Sequence, residues 1–293
     1  MFTGFSNKVF KTDQGEIFYK INGAGPPLLM LHGYPQNHFM WHSTAPELAK
    51  EYTVIIPDLR GYGKSMAPQG DEDHYNYSKR VMAEDLKGLM NHLNFNKFFL
   101  VGHDRGGRVA HRMVRDNKTS ILGLIILDIC PTLDMYESTN MEFATAYFHW
   151  FFLIQPSGIP EKIIELDPKL WLKNCLQKWS SGHDFGEAEN EYLTTFSQPD
   201  KIHGSCEDYR AGSTIDLVHD RQDRHKKINV PVHVLWGSKG FVGKAFNPIE
   251  IWQNYVLGEV TGNSLDCGHF IPEEKPNETI VEIKNFFRSI SEF

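Results

Sequence analysis

Asp104 sits at the centre of Gly102-His103-Asp104-Arg105-Gly106. The run Lys97-Phe98-Phe99-Leu100-Val101 before it predicts a buried strand, and Gly107 to Val114 after it predicts an amphipathic helix. A nucleophile between small residues on a sharp strand-to-helix turn is a nucleophile elbow. The carboxylate narrows the chemistry. A serine that displaced a leaving group from saturated carbon would end as an ether, which water does not readily cleave. A carboxylate ends as an ester, which activated water hydrolyses. An aspartate elbow therefore points to carbon–halogen cleavage or epoxide opening. A lone Gly-x-Asp-x-Gly is weak in a chain with 24 glycines. Its flanking strand and helix set it above the simpler alternative, a turn with an Asp helix cap.

Hydrolysis of an aspartyl ester passes through a tetrahedral oxyanion, which backbone N–H groups can stabilise. The amides of Arg105, after the nucleophile, and of Tyr34, in His32-Gly33-Tyr34-Pro35, occupy the expected places. The water-activating base is expected late in the chain. His269, in Asp266-Cys267-Gly268-His269-Phe270, is selected from 14 histidines by chain order alone. No carboxylate follows Val232 to Trp236 through Gly240, so Asp128, one strand earlier, is the expected partner of His269. Arg105 and Arg108, three apart on one helix face, are neighbours. Their spacing leaves two readings open: a local ion pair with an acid, or a bidentate anchor for an anionic substrate.

These residues need a scaffold. Glu16 to Asn22, Pro27 to Leu31, Tyr52 to Pro57, Lys97 to Val101, Ile121 to Leu127 and Val230 to Trp236 read as strands. Helical runs such as Ser78 to Leu93 and Gly107 to Asp116 lie between them. Continuous apolar strands alternating with helices predict an α/β fold with a mostly parallel, doubly wound sheet. The aromatic, helix-rich stretch 136–227 breaks this rhythm and predicts an inserted helical cap. Residues 1–135 and 228–293 then form the core domain. A cap over the strand ends would keep the site dry.

Composition bounds the function. The 293 residues carry a net charge of −7, which disfavours nucleic acid or an anionic membrane as partner. No apolar run of about 20 residues predicts a membrane span. The N-terminus shows no signal-peptide pattern. The four cysteines are scattered, consistent with a reduced, cytoplasmic setting. Gly63-Lys64-Ser65 resembles the end of a phosphate-binding loop, but Asp58 occupies the required first glycine position. There is no His-Glu-x-x-His, and no cofactor or metal is implied.

The chain resembles the fluoroacetate dehalogenases of the α/β-hydrolase superfamily. The resemblance spans most of the chain. It runs from His32-Gly33-Tyr34-Pro35-Gln36-Asn37 through Asp58-Leu59-Arg60-Gly61-Tyr62-Gly63, the elbow with both arginines, Leu127-Asp128-Ile129 and Tyr147-Phe148-His149-Trp150. It continues through Ile202 to Gly212 to Gly268-His269-Phe270. It implies an α/β-hydrolase fold and attack by Asp104 on the halogen-bearing carbon of a small haloacid. It further implies that Arg105 and Arg108 hold the substrate carboxylate, and that His149, Trp150 and Tyr209 donate to the leaving halide. His269, oriented by Asp128, would activate water, and a homodimer would be the assembly. Tyr34 departs from the phenylalanine of many relatives, with little effect expected because its backbone acts. Two other readings stay open. One is an epoxide hydrolase with Tyr209 and Tyr147 as phenolic donors and no use for the arginines. The other is a catalytically silent ligand-binding relative.

Overall fold

The computed structural model describes residues 2–117, 119–156 and 158–290. Eight strands form one sheet: β1 (Ser6–Thr12), β2 (Gly15–Asn22), β3 (Pro27–Leu31), β4 (Thr53–Pro57), β5 (Phe98–His103), β6 (Ile121–Leu127), β7 (Val232–Gly237) and β8 (Val260–Leu265). Their spatial order is β1-β2-β4-β3-β5-β6-β7-β8. The β1–β2 and β2–β4 pairings are antiparallel and the others parallel. The central strands are apolar throughout because helices cover both faces; Leu28 to Leu31 and Leu124 to Leu127 are fully buried.

The order reverses between β3 and β5, whose chain neighbours lie on opposite sides. Open α/β sheets bind ligands beyond the carboxyl ends of their strands at such a switch point. Register brings the critical residues there. Leu31 pairs with Gly102, so His32 to Tyr34 leave the sheet beside Asp104. His103 pairs with Leu127 and Leu127 with Leu235, so Asp128 emerges between the elbow and Gly237. Gly237 pairs with Leu265, which places the Cys267 to His269 loop on the same end.

Between β6 and β7 the chain is helical, from Thr132–Glu137 to Ile215–Gln222. Helix begins four residues before Tyr136 because Pro131, with a fixed φ, leads directly into it. β1 and β8 did not emerge from the sequence pattern. β1 is an exposed edge strand, and β8 contains Thr261, Gly262, Asn263 and Ser264, a polar run with no apolar period. No helix among the described residues is long and apolar enough to cross a membrane.

Candidate active site

Asp104 opens the helix Asp104–Asp116 with a left-handed φ of 48°, as a sharp strand-to-helix turn requires. Aspartate tolerates this region better than most residues, though not freely. Close approach of neighbouring backbone explains the small residues around it. A Cβ on Gly33 would fall 2.4 Å from the Asp104 Cβ, and one on Gly106 would fall 2.3 Å from the His32 carbonyl oxygen. The His32 ring fixes the intervening loop. Its Nδ1 bonds the Gly33 carbonyl at 3.0 Å and its Nε2 accepts from the Leu59 amide at 3.0 Å.

The two carboxylate oxygens of Asp104 have different surroundings. Oδ1 accepts from the Tyr34 N–H at 2.9 Å. Oδ2 lies 3.8 Å from His269 Nε2. The Arg105 amide makes no hydrogen bond to the resting carboxylate among the described residues. Burial alone would raise the Asp104 pKa, but the charges of His269, His103, Arg108 and Arg105 outweigh it and hold the group below the usual carboxylate value. These charges favour the anionic form of the Asp104 carboxylate.

His269 Nδ1 donates to Asp128 Oδ2 at 2.6 Å, and Asp128 Oδ1 accepts from the Gly237 amide at 2.9 Å. Asp128 has a φ of 52°, which turns its carboxylate off β6 toward the histidine. The backbone of His269 is tied twice: its N–H donates to the Trp179 carbonyl at 2.9 Å, and its carbonyl accepts from His103 Nε2 at 2.8 Å. Burial pulls the His269 pKa down. The Asp128 hydrogen bond and the Asp128 and Asp104 charges reverse this and leave it above the usual histidine value. His103, inside the elbow motif, was not singled out in the sequence, because its partner is 166 residues away.

The arginines differ. Arg105 turns one edge to Asp208, with Nε at 2.7 Å from Oδ2 and Nη2 at 2.9 Å from Oδ1 and 2.8 Å from the backbone carbonyl. Only Nη1 remains without a hydrogen bond among the described residues. Arg108 has no carboxylate partner among them. Nη1 donates to Thr132 Oγ1 at 2.9 Å and the Cys130 carbonyl at 3.2 Å, while the buried Nε has no partner. Burial and the Arg105 charge lower its pKa, with Asp104 acting against them. Of the two readings the sequence left open, Arg105 takes the ion pair with an acid, whereas Arg108 has no such partner among the described residues.

Two aromatic donors lie under these guanidiniums. Arg105 stacks over the Tyr209 ring at 4.1 Å and Arg108 over the Trp150 ring at 4.6 Å. The Tyr209 hydroxyl and the Trp150 Nε1 are buried without a hydrogen-bond partner. His149 lies with its ring 5.7 Å from that of Tyr209 and 4.3 Å from that of Trp179. Burial pushes His149 down to about 3, so it is a neutral ring with one N–H. Burial likewise keeps the Tyr209 phenol protonated.

A cavity of about 200 Å³ reaches Asp104, Asp128, His149 and His269, with Tyr147, Trp179 and Phe241 among its walls. Tyr209, which contacts the His149 ring, and Trp150 and the two arginines are not among the residues lining this cavity. One other group could suggest a metal: Glu161, His203 and Glu207 bring ligand atoms within 4.8 Å of one another. Arg210 already bonds both carboxylates, at 2.6 and 2.8 Å, so a cation stands there from the chain itself.

The strand order, the helices on both faces and the strained elbow define an α/β hydrolase. The chain belongs to the α/β hydrolase fold family, whose sequence pattern matches residues 26–276. It is 44% identical to a fluoroacetate dehalogenase from Burkholderia sp over 98% of this chain and 95% of the relative. It is 36% identical to a soluble epoxide hydrolase from Corynebacterium sp. (strain C12), over 92% of each chain. A solved α/β hydrolase structure from Nostoc sp PCC 7120 superposes with a TM-score of 0.95 at 50% identity, covering 98% of this chain and 99% of that one.

Proposed function

We propose that this protein hydrolyses haloacetates to glycolate and halide. The observation that carries the reading is the pair of dry donors, Trp150 Nε1–H and Tyr209 O–H, unpartnered beneath two guanidiniums beside an anionic aspartate. A buried donor without a partner costs about 1–3 kcal/mol. A departing halide would supply the missing acceptor at the moment its charge develops.

In this reading Asp104 Oδ2 attacks the halogen-bearing carbon while the carbon–halogen bond breaks. The halide leaves toward His149, Trp150 and Tyr209. Arg108 holds the substrate carboxylate, with Arg105 Nη1 beside it. His269 then takes a proton from water, whose oxygen attacks the Asp104 ester carbonyl. The negative charge gathers on Oδ1, at the Tyr34 N–H, with the Arg105 amide as second donor. Collapse releases glycolate, which takes the proton back from His269; the regenerated Asp104 acid loses one proton to solvent. The similarity to the Burkholderia dehalogenase supports this chemistry.

A second reading is epoxide hydrolysis, favoured by the phenols of Tyr147, on the cavity wall, and Tyr209. It is also supported by the Corynebacterium relative. It leaves Arg108, buried without an acid, unexplained. Halide release from fluoroacetate and chloroacetate, read in parallel with ion-selective electrodes, separates the readings. Release of both supports a defluorinating site. Chloride alone keeps the Asp104 chemistry with a looser halide pocket. Release of neither, with hydrolysis of a neutral epoxide that survives Arg108→Ala, establishes the alternative.

A further inference from the structure

The mouth of the cavity carries Lys178, Lys239 and Lys244, all exposed. Lys178 lies in the last turn of the helix Pro168–Trp179 on the inserted helical side, whereas Lys239 and Lys244 follow β7 on the sheet side. Cations thus stand on both lips of one opening. Among the described residues, the acids on the cavity wall are Asp104 and Asp128, both buried and hydrogen-bonded. Lys239 pairs with the exposed Asp266 at 2.9 Å. Lys178 and Lys244 have no carboxylate partner among the described residues. Helix ends favour lysine in general, but that preference does not converge three of them on one opening. The chain as a whole has a net charge of −7 and repels small anions.

We infer that Lys178 and Lys244, with Lys239 as a partly neutralised third, form an electrostatic funnel that selects small carboxylate anions and delivers them to Arg108. This deepens the proposed function and rests on it for the identity of the anion. Low-dielectric walls focus such a field and raise local anion concentration and on-rates by about 10–10³-fold. The lysines touch no reacting atom. They act on capture.

The probe is acetate, with acetamide as its neutral match, titrated calorimetrically into wild type, K178E/K244E and K178R/K244R at about 20 mM and about 300 mM ionic strength. The charge-reversed protein should bind acetate about tenfold more weakly at low salt. The gap should close at high salt, acetamide binding should not change, and the arginine variant should match wild type. Unchanged acetate affinity, an equal loss for acetamide, a gap that persists in salt, or no acetate binding by wild type overturns the inference. Chloride release from chloroacetate by wild type reports separately. Salt-sensitive acetate binding without turnover keeps the funnel and sinks the dehalogenase reading.

Discussion

The proposed reaction would divide the work of Asp104 between its two oxygens. Oδ1 rests on the Tyr34 amide without substrate, so in the proposed reaction the position receiving the oxyanion would be preorganised and need no rearrangement. Oδ2 makes no such bond and lies 3.8 Å from His269 Nε2; in the proposed reaction it would be the attacking oxygen, with His269 placed to activate water once the ester forms. Alkylation needs no base and hydrolysis does. His269→Asn should therefore release one halide per active site and stop, and intact mass should show Asp104 carrying the ester. Continued turnover, or no adduct, would exclude the two-step path. The wild type should show the same division with pH. The base works only when neutral, and its pKa stands above the usual histidine value of about 6.5. Turnover should fall as pH drops through that raised pKa, while the ester accumulates. Among the halide donors, Trp150 offers the cleanest test. Trp150→Phe keeps an aromatic face under Arg108 and removes the N–H together with part of the ring volume. Loss of one preorganised donor should lower fluoride release about 10²-fold or more, and chloride release less, because fluoride depends more on hydrogen bonding as it leaves. Equal losses for both halides would mean that the ring, not its N–H, matters.

At the scale of elements, the site is built from the ends of β3, β5, β6 and β7 and two loops, and a buried acid ties those loops together. Glu273, four residues after His269, bonds Tyr192 at 2.6 Å on the helix Glu187–Phe196, and Gln36 on the loop that carries Tyr34. No cation pairs with it among the described residues; Glu274 is the charge that acts on it. Burial raises its pKa to about 8, with Tyr192 and Gln36 pulling the other way and Glu274 adding to the rise. The unfolded chain releases this proton near pH 4.3. Between the two values the native state binds the extra proton, so stability falls as pH rises across that window and levels off above it. Glu273→Gln is neutral at every pH. Its Tm should fall less between pH 5 and 9 than that of wild type, a difference calorimetry reads directly; parallel curves would remove Glu273 from the account. Little of this lattice was legible in the sequence. The elbow was, because its strand and helix are contiguous and their periods switch at Asp104. So were β3, β4 and β6, whose burial on both faces makes them continuously apolar. β1 and β8 were not, because edge strands need no apolar period. Glu273 was not, because Gln36 is 237 residues away and no local pattern links them.

Across the whole molecule, the sheet and its flanking helices carry Asp104, His269 and Arg108, while the helical block between β6 and β7 carries His149, Trp150 and Tyr209. The proposed reaction would need the two halves in register, and a buried ion cluster ties them together. Asp208, one residue before Tyr209, bonds Arg105 from the elbow helix, Lys79 from the helix Lys79–His92, and the Tyr62 hydroxyl at 2.6 Å. Asp216 joins Lys79 at 3.3 Å. Sequence spacing exposed Arg105 as one of a pair but gave no sign that Asp208, 103 residues on, takes up one of its edges. Burial would raise the Asp208 pKa, yet Arg105 and Lys79 drive it far below the usual carboxylate range. Its stabilisation is therefore complete above the unfolded pKa of about 3.9 and is lost only in strong acid. Asp208→Asn keeps the shape and removes the charge, leaving Arg105 and Lys79 short of a counter-ion in a dry interface. Breaking a buried pair from one side costs about 3–5 kcal/mol, which at roughly 2–4 °C per kcal/mol should lower Tm by about 10 °C. The same change frees the Arg105 fork and loosens Tyr209. The folded fraction should therefore bind acetate at least as tightly as wild type yet release fluoride more slowly. That pairing separates misregistered halves from simple unfolding, which would lower both signals together.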